Sequence, residues 1–263
     1  MTLRVISANV NGIRSAAKKG FFNWLESQQA DVICIQETKA QLQFLQDEVS
    51  LFPAEYTCHF HDAEKKGYSG VAIYSRLPPD SVIIGMGHAD FDAEGRYIEA
   101  RFGNLSVVSL YLPSGSSGEA RQQAKYGCLD HFQTLLEQMR VSGRDYIICG
   151  DWNIAHKPID LKNWKANQTC SGFLPQERAW LDKIFDELGF VDAFRRVNAL
   201  SDQYTWWSNR GQAWAKNVGW RIDYQIITPS LADKVRAASI YKDERFSDHA
   251  PLILDYTYTL AIE

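Results

Sequence analysis

The chain has 263 residues, enough for one large α/β domain or two small ones, and its 45% hydrophobic and 23% charged content is ordinary for a globular protein. A domain of this size buries most of its apolar surface and needs no disulfide or structural metal, which excludes the small stapled scaffolds. The net charge of −4 taken alone argues against a nucleic-acid partner, but a nuclease that clusters carboxylates beside a basic rim can carry the same total.

Short β-like runs recur along the chain. In order they are LRVISA (3–8), DVICIQ (31–36), GVAIYS (70–75), RYIEARF (96–102), LSVVSLYL (105–112), DYIICGD (145–151), RIDYQII (221–227) and PLILDYTY (251–258). VICIQ and YIICG are apolar without alternation, so both faces of those strands should be covered. A helix is predicted over 119–140, where Leu129, Phe132, Leu136 and Met139 repeat on one face. A second is predicted over 177–188, with Leu181, Ile184, Phe185 and Leu188 inward and Pro175 and Gly189 as boundaries. No linker or low-complexity segment divides the chain; SGSSG (114–118) reads as one loop. Alternating strands and helices without a short repeat predict one domain over 1–263, with enough strands for two packed sheets.

The cysteines (Cys34, Cys58, Cys128, Cys149 and Cys170) are odd in number, with no CxxC and no zinc-finger spacing. The first residues lack a basic segment followed by a long apolar stretch, and no apolar run approaches a membrane span. A reduced, cytoplasmic chain without a membrane partner is the expectation.

Polar residues collect where strands end. Asn9 and Asn11 follow the first, Glu37 the second, and Tyr111 closes LSVVSLY. Asp151 and Asn153 end YIICGDWN, Asp223 lies in GWRIDYQ, and Asp248 and His249 precede the last strand. Taken singly, each has an ordinary explanation: a solvated loop acid, an Asn-Gly turn, a capping Asp beside a structural His. As a set, carboxylates, amides, a tyrosine and one histidine at strand ends make an oxygen-rich site with an acid–base group. Such donors suit Mg²⁺, with Mn²⁺ as a substitute; a lone well-placed His without a thiolate does not suit zinc.

The strings SANVNGIR, QETK, YSGVAIYSR, SLYLPSG, GDWNIAH, NVGWRIDYQ and FSDHAPL, in that order from about residue 3 to about residue 258, resemble the exonuclease III group of the endonuclease/exonuclease/phosphatase superfamily. The segment DLKNWKANQTCSGFLPQERAW (160–180) looks like that of bacterial abasic endonucleases. The resemblance implies a four-layer α/β sandwich, two mixed sheets packed face to face between helices, with the site where the strand ends of both sheets converge. It implies a Mg²⁺-dependent phosphodiesterase cutting double-stranded DNA 5′ to abasic sites and trimming blocked 3′ ends. Glu37 would be the principal metal ligand, helped by Asn9, Asp248 and Asp151, with a weaker second position at Asn11, where some relatives carry Asp. Asp151 would orient or deprotonate the attacking water and Asn153 would hold water or phosphate. Tyr111 and His249 would donate to the phosphate, with His249 kept cationic by Asp223. Trp206 and Trp220 would wall the pocket for the flipped-out sugar, and Arg210, Lys125, Lys162 and Lys165 would reach phosphates.

Two other readings compete. Some bacterial relatives have lost the catalytic residues and act as regulatory partners, but Glu37, Asp151, Asn153, Asp223, Asp248 and His249 are all present here. Against a branch acting on phosphoinositides or sphingolipids, the tryptophan-rich GWRIDYQ region and compact length resemble the DNA branch, and no lipid-facing apolar segment is evident. Oligomeric state leaves no mark in the sequence, and a monomer suffices.

Overall fold

The computed structural model describes residues 2–260, so Met1 and residues 261–263 of the expected domain lie outside the described residues. In chain order the elements are β1 (Thr2–Asn9), α1 (Ile13–Lys18), α2 (Phe21–Gln28), β2 (Val32–Gln36), β3 (Thr57–His61), β4 (Val71–Ser75), β5 (Ser81–Ile84), α3 (Ala89–Asp92), β6 (Tyr97–Phe102) and β7 (Leu105–Tyr111). There follow α4 (Glu119–Val141), β8 (Asp145–Asp151), α5 (Pro175–Asp182), β9 (Val191–Asp192), α6 (Ala193–Val197), β10 (Trp206–Trp207), β11 (Gly219–Trp220), β12 (Asp223–Ile227), β13 (Val235–Ile240) and β14 (Leu252–Thr257).

Two six-stranded sheets run in the orders β13-β14-β1-β2-β4-β3 and β5-β6-β7-β8-β12-β9, and β10-β11 form a small ribbon. Each large sheet is antiparallel except for one parallel pair, β1 with β2 and β7 with β8. The sheets pack face to face through Val5, Val32, Cys34 and Ile73 on one side and Val107, Ile147, Cys149 and Ile227 on the other. The outer face of the first sheet buries Ile6, Ile33 and Ile35 against Phe21, Phe22 and Leu25 of α2. The outer face of the second buries Val108, Ile148 and Ile226 under Leu129, Phe132 and Leu136 of α4 and Leu181 of α5. VICIQ and YIICG are therefore apolar throughout because each strand has a sheet on one side and helices on the other. The result is the expected four-layer sandwich of two mixed sheets flanked by helices.

All eight expected strands form, and so does the expected helix over 119–140. The helix expected over 177–188 begins at Pro175, and its last turn widens over Lys183–Glu187. β3, β5 and β13 carry no strong sequence signal. All three lie at sheet margins, where half-exposed side chains blur the alternation.

Candidate active site

The register of the strands decides which side chains meet. Asp151 is the direct partner of Tyr111 on the parallel neighbour β7 and of Asp223 on the antiparallel neighbour β12. On the first sheet, Asn9 ends β1 beside Gln36 on β2, so Glu37 emerges next to Asn9, across the seam from Asp151. Both sheets thus end at one edge, and their terminal polar side chains face one another across the seam.

The backbone at this edge is held in uncommon conformations. Asn11, Glu37, Lys39 and Asn153 all adopt positive φ, at 46°, 53°, 51° and 53°. The turn around Glu37 is pinned by Thr38 N–H to the Gly70 carbonyl (3.1 Å), Lys39 N–H to the Ser69 carbonyl (2.8 Å), and Gly12 N–H to the Glu37 carbonyl (2.8 Å). Gly70 is required there, since a Cβ at that position would fall 2.2 Å from Thr38 Oγ1. The strings QETK and YSGVAIYSR are one structural device that presents Glu37.

Within the cleft, Asn9 Nδ2 donates to Glu37 Oε1 (2.8 Å) and to Asp151 Oδ2 (2.9 Å), bridging the two sheets. Asp151 Oδ1 accepts from Asn153 N–H (2.9 Å), and Asn153 Nδ2 donates to the Leu112 carbonyl (2.9 Å). His249 Nδ1 bonds Asp223 Oδ2 at 2.9 Å, while its Nε2 faces Asp151 Oδ2 at 3.8 Å. Tyr111 stands beside Glu37, its ring capped by the buried Arg96 guanidinium at 4.7 Å.

Crowding of like charges controls the protonation states. Burial, then Asp223 and Glu37, push Asp151 up to about 8, against the opposing pull of His249. Burial disfavours the His249 cation, but Asp223, Asp151 and Asp248 outweigh it and lift the imidazole to about 10. The Tyr111 hydroxyl is raised by burial and by Glu37 and Asp151, which keeps it a donor.

Glu37, Asp151 and His249 bring ligand atoms within 4.8 Å of one another, a group that can hold a metal ion. The donor set fits a hard cation: three carboxylates (Glu37, Asp151 and Asp223) converge on one histidine, and Asp223 Oδ1 is buried without a partner. Lys39 Nζ lies 2.7 Å from Glu37 Oε2, so a lysine on a flexible stem already answers part of this charge. Asp248 stands apart from that group, bonded by Asn11 Nδ2 (2.8 Å) and Trp206 Nε1 (3.1 Å). The arrangement brings Asn11 to Asp248 rather than to Glu37 or Asp151. Sequence reasoning assigned no site role to Lys39, although it stands in QETK, or to Arg96, which no local pattern links to Tyr111.

A cleft of about 330 Å³ opens onto these groups, walled on its other side by Trp206, Trp220, Ile222 and Gly172. Trp206 and Trp220 pair across the β10-β11 ribbon with their rings edge to face, 6.4 Å between centroids. Arg210, Lys162 and Lys165 are exposed, Lys162 in an ion pair with Asp202 and Lys165 over the Trp164 ring. Lys125 corrects the sequence reading. Its side chain is completely buried, with Nζ on Glu177 Oε1 (2.5 Å) and on the Asn153 carbonyl (2.9 Å). It turns inward because Glu177, on α5, supplies the counter-charge that its own stretch of sequence lacks.

The Endonuclease/Exonuclease/phosphatase family model matches residues 6–249, a span that contains every cleft residue named above. The chain belongs to this family. An exodeoxyribonuclease of Bacillus subtilis is 42% identical over 258 residues, covering 96% of this chain and 98% of that protein. A DNA-(apurinic or apyrimidinic site) endonuclease of Dictyostelium discoideum is 35% identical, covering 95% of this chain and 69% of its own length. The solved AP endonuclease of Archaeoglobus fulgidus superposes with a TM-score of 0.87 at 28% identity, over 97% of this chain and 100% of that one. No helix among the described residues is long and apolar enough to cross a membrane.

Proposed function

We propose that this chain is a DNA-repair nuclease that hydrolyses the backbone 5′ to abasic sites, leaving a 3′-hydroxyl, and trims blocked 3′ ends in the same cleft. The observation that carries this reading is an acid–base cluster opening directly onto a small slot whose far wall carries apolar side chains. Glu37, Asp151 and His249 form one wall, and Trp206, Trp220 and Ile222 the other. A deoxyribose without its base is compact and presents apolar faces, which suits that slot; a complete nucleotide is bulkier. The relatives' names, an exodeoxyribonuclease and abasic-site endonucleases, support the same substrate class.

Asp151 orients and deprotonates the attacking water, its carboxylate aimed by Asn153 N–H and Asn9 Nδ2. Asn153, with its amide nitrogen committed to Leu112, turns its side-chain oxygen to water or phosphate. His249, held by Asp223, donates from Nε2 to a phosphate oxygen, and the protonated Tyr111 hydroxyl donates to another. These donors are fixed before the reaction, so they stabilise charge as it develops without reorganising. Glu37 and Asp151, with Asn9 and Asp248 nearby, would hold Mg²⁺, for which Mn²⁺ substitutes. A bound ion would supply positive charge against the charge that develops on the phosphate. We assign residues 1–263 to one catalytic domain, a reading supported by the core shared between the sheets, and place it in the cytoplasm, which the five unpaired cysteines suit; a monomer suffices for the cleft.

The test is a duplex carrying one tetrahydrofuran abasic analogue, with and without Mg²⁺. Incision 5′ to the analogue is expected with Mg²⁺ or Mn²⁺ and none in excess chelator. Equal cutting of intact duplex would overturn the substrate assignment, and full activity in chelator would overturn the metal.

A further inference from the structure

Lys125 and Glu177 are both completely buried, yet neither touches the acid–base cluster. Their contacts lead to the opposite wall of the cleft. Glu177 Oε2 accepts from Gly172 N–H (2.7 Å) and Leu174 N–H (3.0 Å), while Oε1 takes the Lys125 ammonium and Gln122 Nε2 (3.2 Å). The Lys125 ammonium reaches on to the Asn153 carbonyl. Gly172 closes the circuit, its carbonyl accepting from Ala155 N–H at 2.8 Å. It is wedged tightly: a Cβ there would lie 3.1 Å from the Asn153 carbonyl oxygen and 3.3 Å from the Trp220 ring. One ion pair therefore ties the loop that carries the slot's wall to the strand end that carries Asp151 and Asn153.

We infer that Lys125 and Glu177 determine substrate specificity as positioning residues, by clamping the Gly172–Leu174 loop against Asn153 and so fixing the width of the slot. This rests on the reading of the slot as the place of a base-free sugar. A surface loop bonded only to solvent would breathe and admit larger groups. Here a buried charge pair accepts two of its N–H groups, and charge-assisted bonds in a dry site are the strong ones. Polar atoms with no partner mark the same wall: Gln122 Oε1 and Ser171 Oγ are both buried and unbonded. Both crowd Gly115, where a Cβ would lie 1.9 Å from Gln122 Oε1 and 2.6 Å from Ser171 Oγ. Gly115 is thus part of the same fit.

The experiment compares kcat/KM for a tetrahydrofuran-containing duplex with kcat/KM for removal of an intact 3′ nucleotide. Wild type, Lys125→Met, Lys125→Met/Glu177→Gln and Lys125→Arg are measured as full chains, with melting recorded for each. Pockets that select by size discriminate by roughly 10–100-fold, so loosening this one should cost about tenfold of the abasic preference. The loss should appear chiefly as a raised KM for the abasic duplex, with the Mg²⁺ requirement unchanged. Lys125→Arg, which keeps the cation, should retain more of the preference than Lys125→Met. The double variant guards against misfolding, because it removes both charges together and leaves neither buried alone. Should it also fail to fold, Gln122→Leu removes only one bond to Glu177 and should lower the ratio about two- to threefold, because the ion pair and the two backbone bonds to Glu177 remain. A folded variant whose ratio stays within wild-type error overturns the inference. Failure of wild type to cut the abasic duplex would instead refute the function proposed above, so the two are distinguishable.

Discussion

Asp151 and Asp160 stand one loop apart, and each is 1% exposed, yet their surroundings drive them in opposite directions. Asp160 is surrounded by cations, with Arg221 Nε and Arg195 Nη2 each 2.8 Å from its Oδ1, and Arg221 Nη2 reaching on to Asp192 at 2.7 Å. Burial alone would raise its carboxyl, but Arg221 and Arg195 overcome this and hold it down at about 2. Asp151 is surrounded by anions with His249 as its principal counterweight, and sits at about 8. One carboxylate is matched and supports the fold; the other is left in tension, where a cation and a substrate can relieve it.

Substitution at Asp151 should break this comparison most sharply. Asp151→Asn keeps the shape and removes the proposed base, so single-turnover cleavage should slow by about 10²–10⁴-fold while the melting temperature holds or rises. DNA binding should survive. A variant with near-wild-type turnover would transfer the base role elsewhere.

The matched partner should behave in the reverse way. Asp160→Asn leaves the buried Arg221 with Asp192 alone and should cost about 3 kcal/mol in urea unfolding, with the chemistry of the folded fraction intact. A cost below about 1 kcal/mol would mean that Arg221 finds other partners among the nearby acids.

Stability against pH separates the two residues without mutation. Asp160 has a folded value below its ordinary 3.8, so its contribution is complete above that value and lost as pH falls through about 2. The loss amounts to about 2 kcal/mol. Asp151 has a raised folded value, so its contribution is complete below 3.8 and is lost as pH rises through about 8. In chelated protein, Mg²⁺ should therefore raise the melting temperature more at pH 8 than at pH 5. Equal shifts at both would detach the ion from Asp151.

The smallest effect tests the unit that restrains Asp151. If His249 and Asp223 act together, the double variant His249→Asn/Asp223→Asn should lose no more than about threefold beyond the worse single variant. Fully additive losses would separate them.

The tense region was far more legible in sequence than the matched one. Glu37, Asp151, Asp223 and His249 lie at or beside the ends of unbroken apolar strands, and such strands announce both their own position and that of the polar residue that ends them. The Asp160–Arg221 pair is separated by 61 residues and Lys125–Glu177 by 52, and no local pattern connects either. Lys125 shows the hazard: on a helix near the motifs a lysine reads as a phosphate contact until its partner is seen. β5 and β13 were hidden for a related reason, since their neighbours, and not their own alternation, hold them in the sheets.

The pairing of β1 with β14 has a further consequence, for the timing of folding. Leu3 lies opposite Tyr256, and Arg4 and Asp255 form an ion pair across 251 residues of sequence. The first strand can pair early with β2 but gains its second neighbour only when β14 arrives, and loops of that span close late and slowly. Asn9 and His249 come from the two sides of this closure. A nascent chain still short of His249 therefore carries Glu37 and Asp151 without the cation that balances them. Under the roles proposed for these residues, cleavage would await the arrival of His249 and of the strand that follows it.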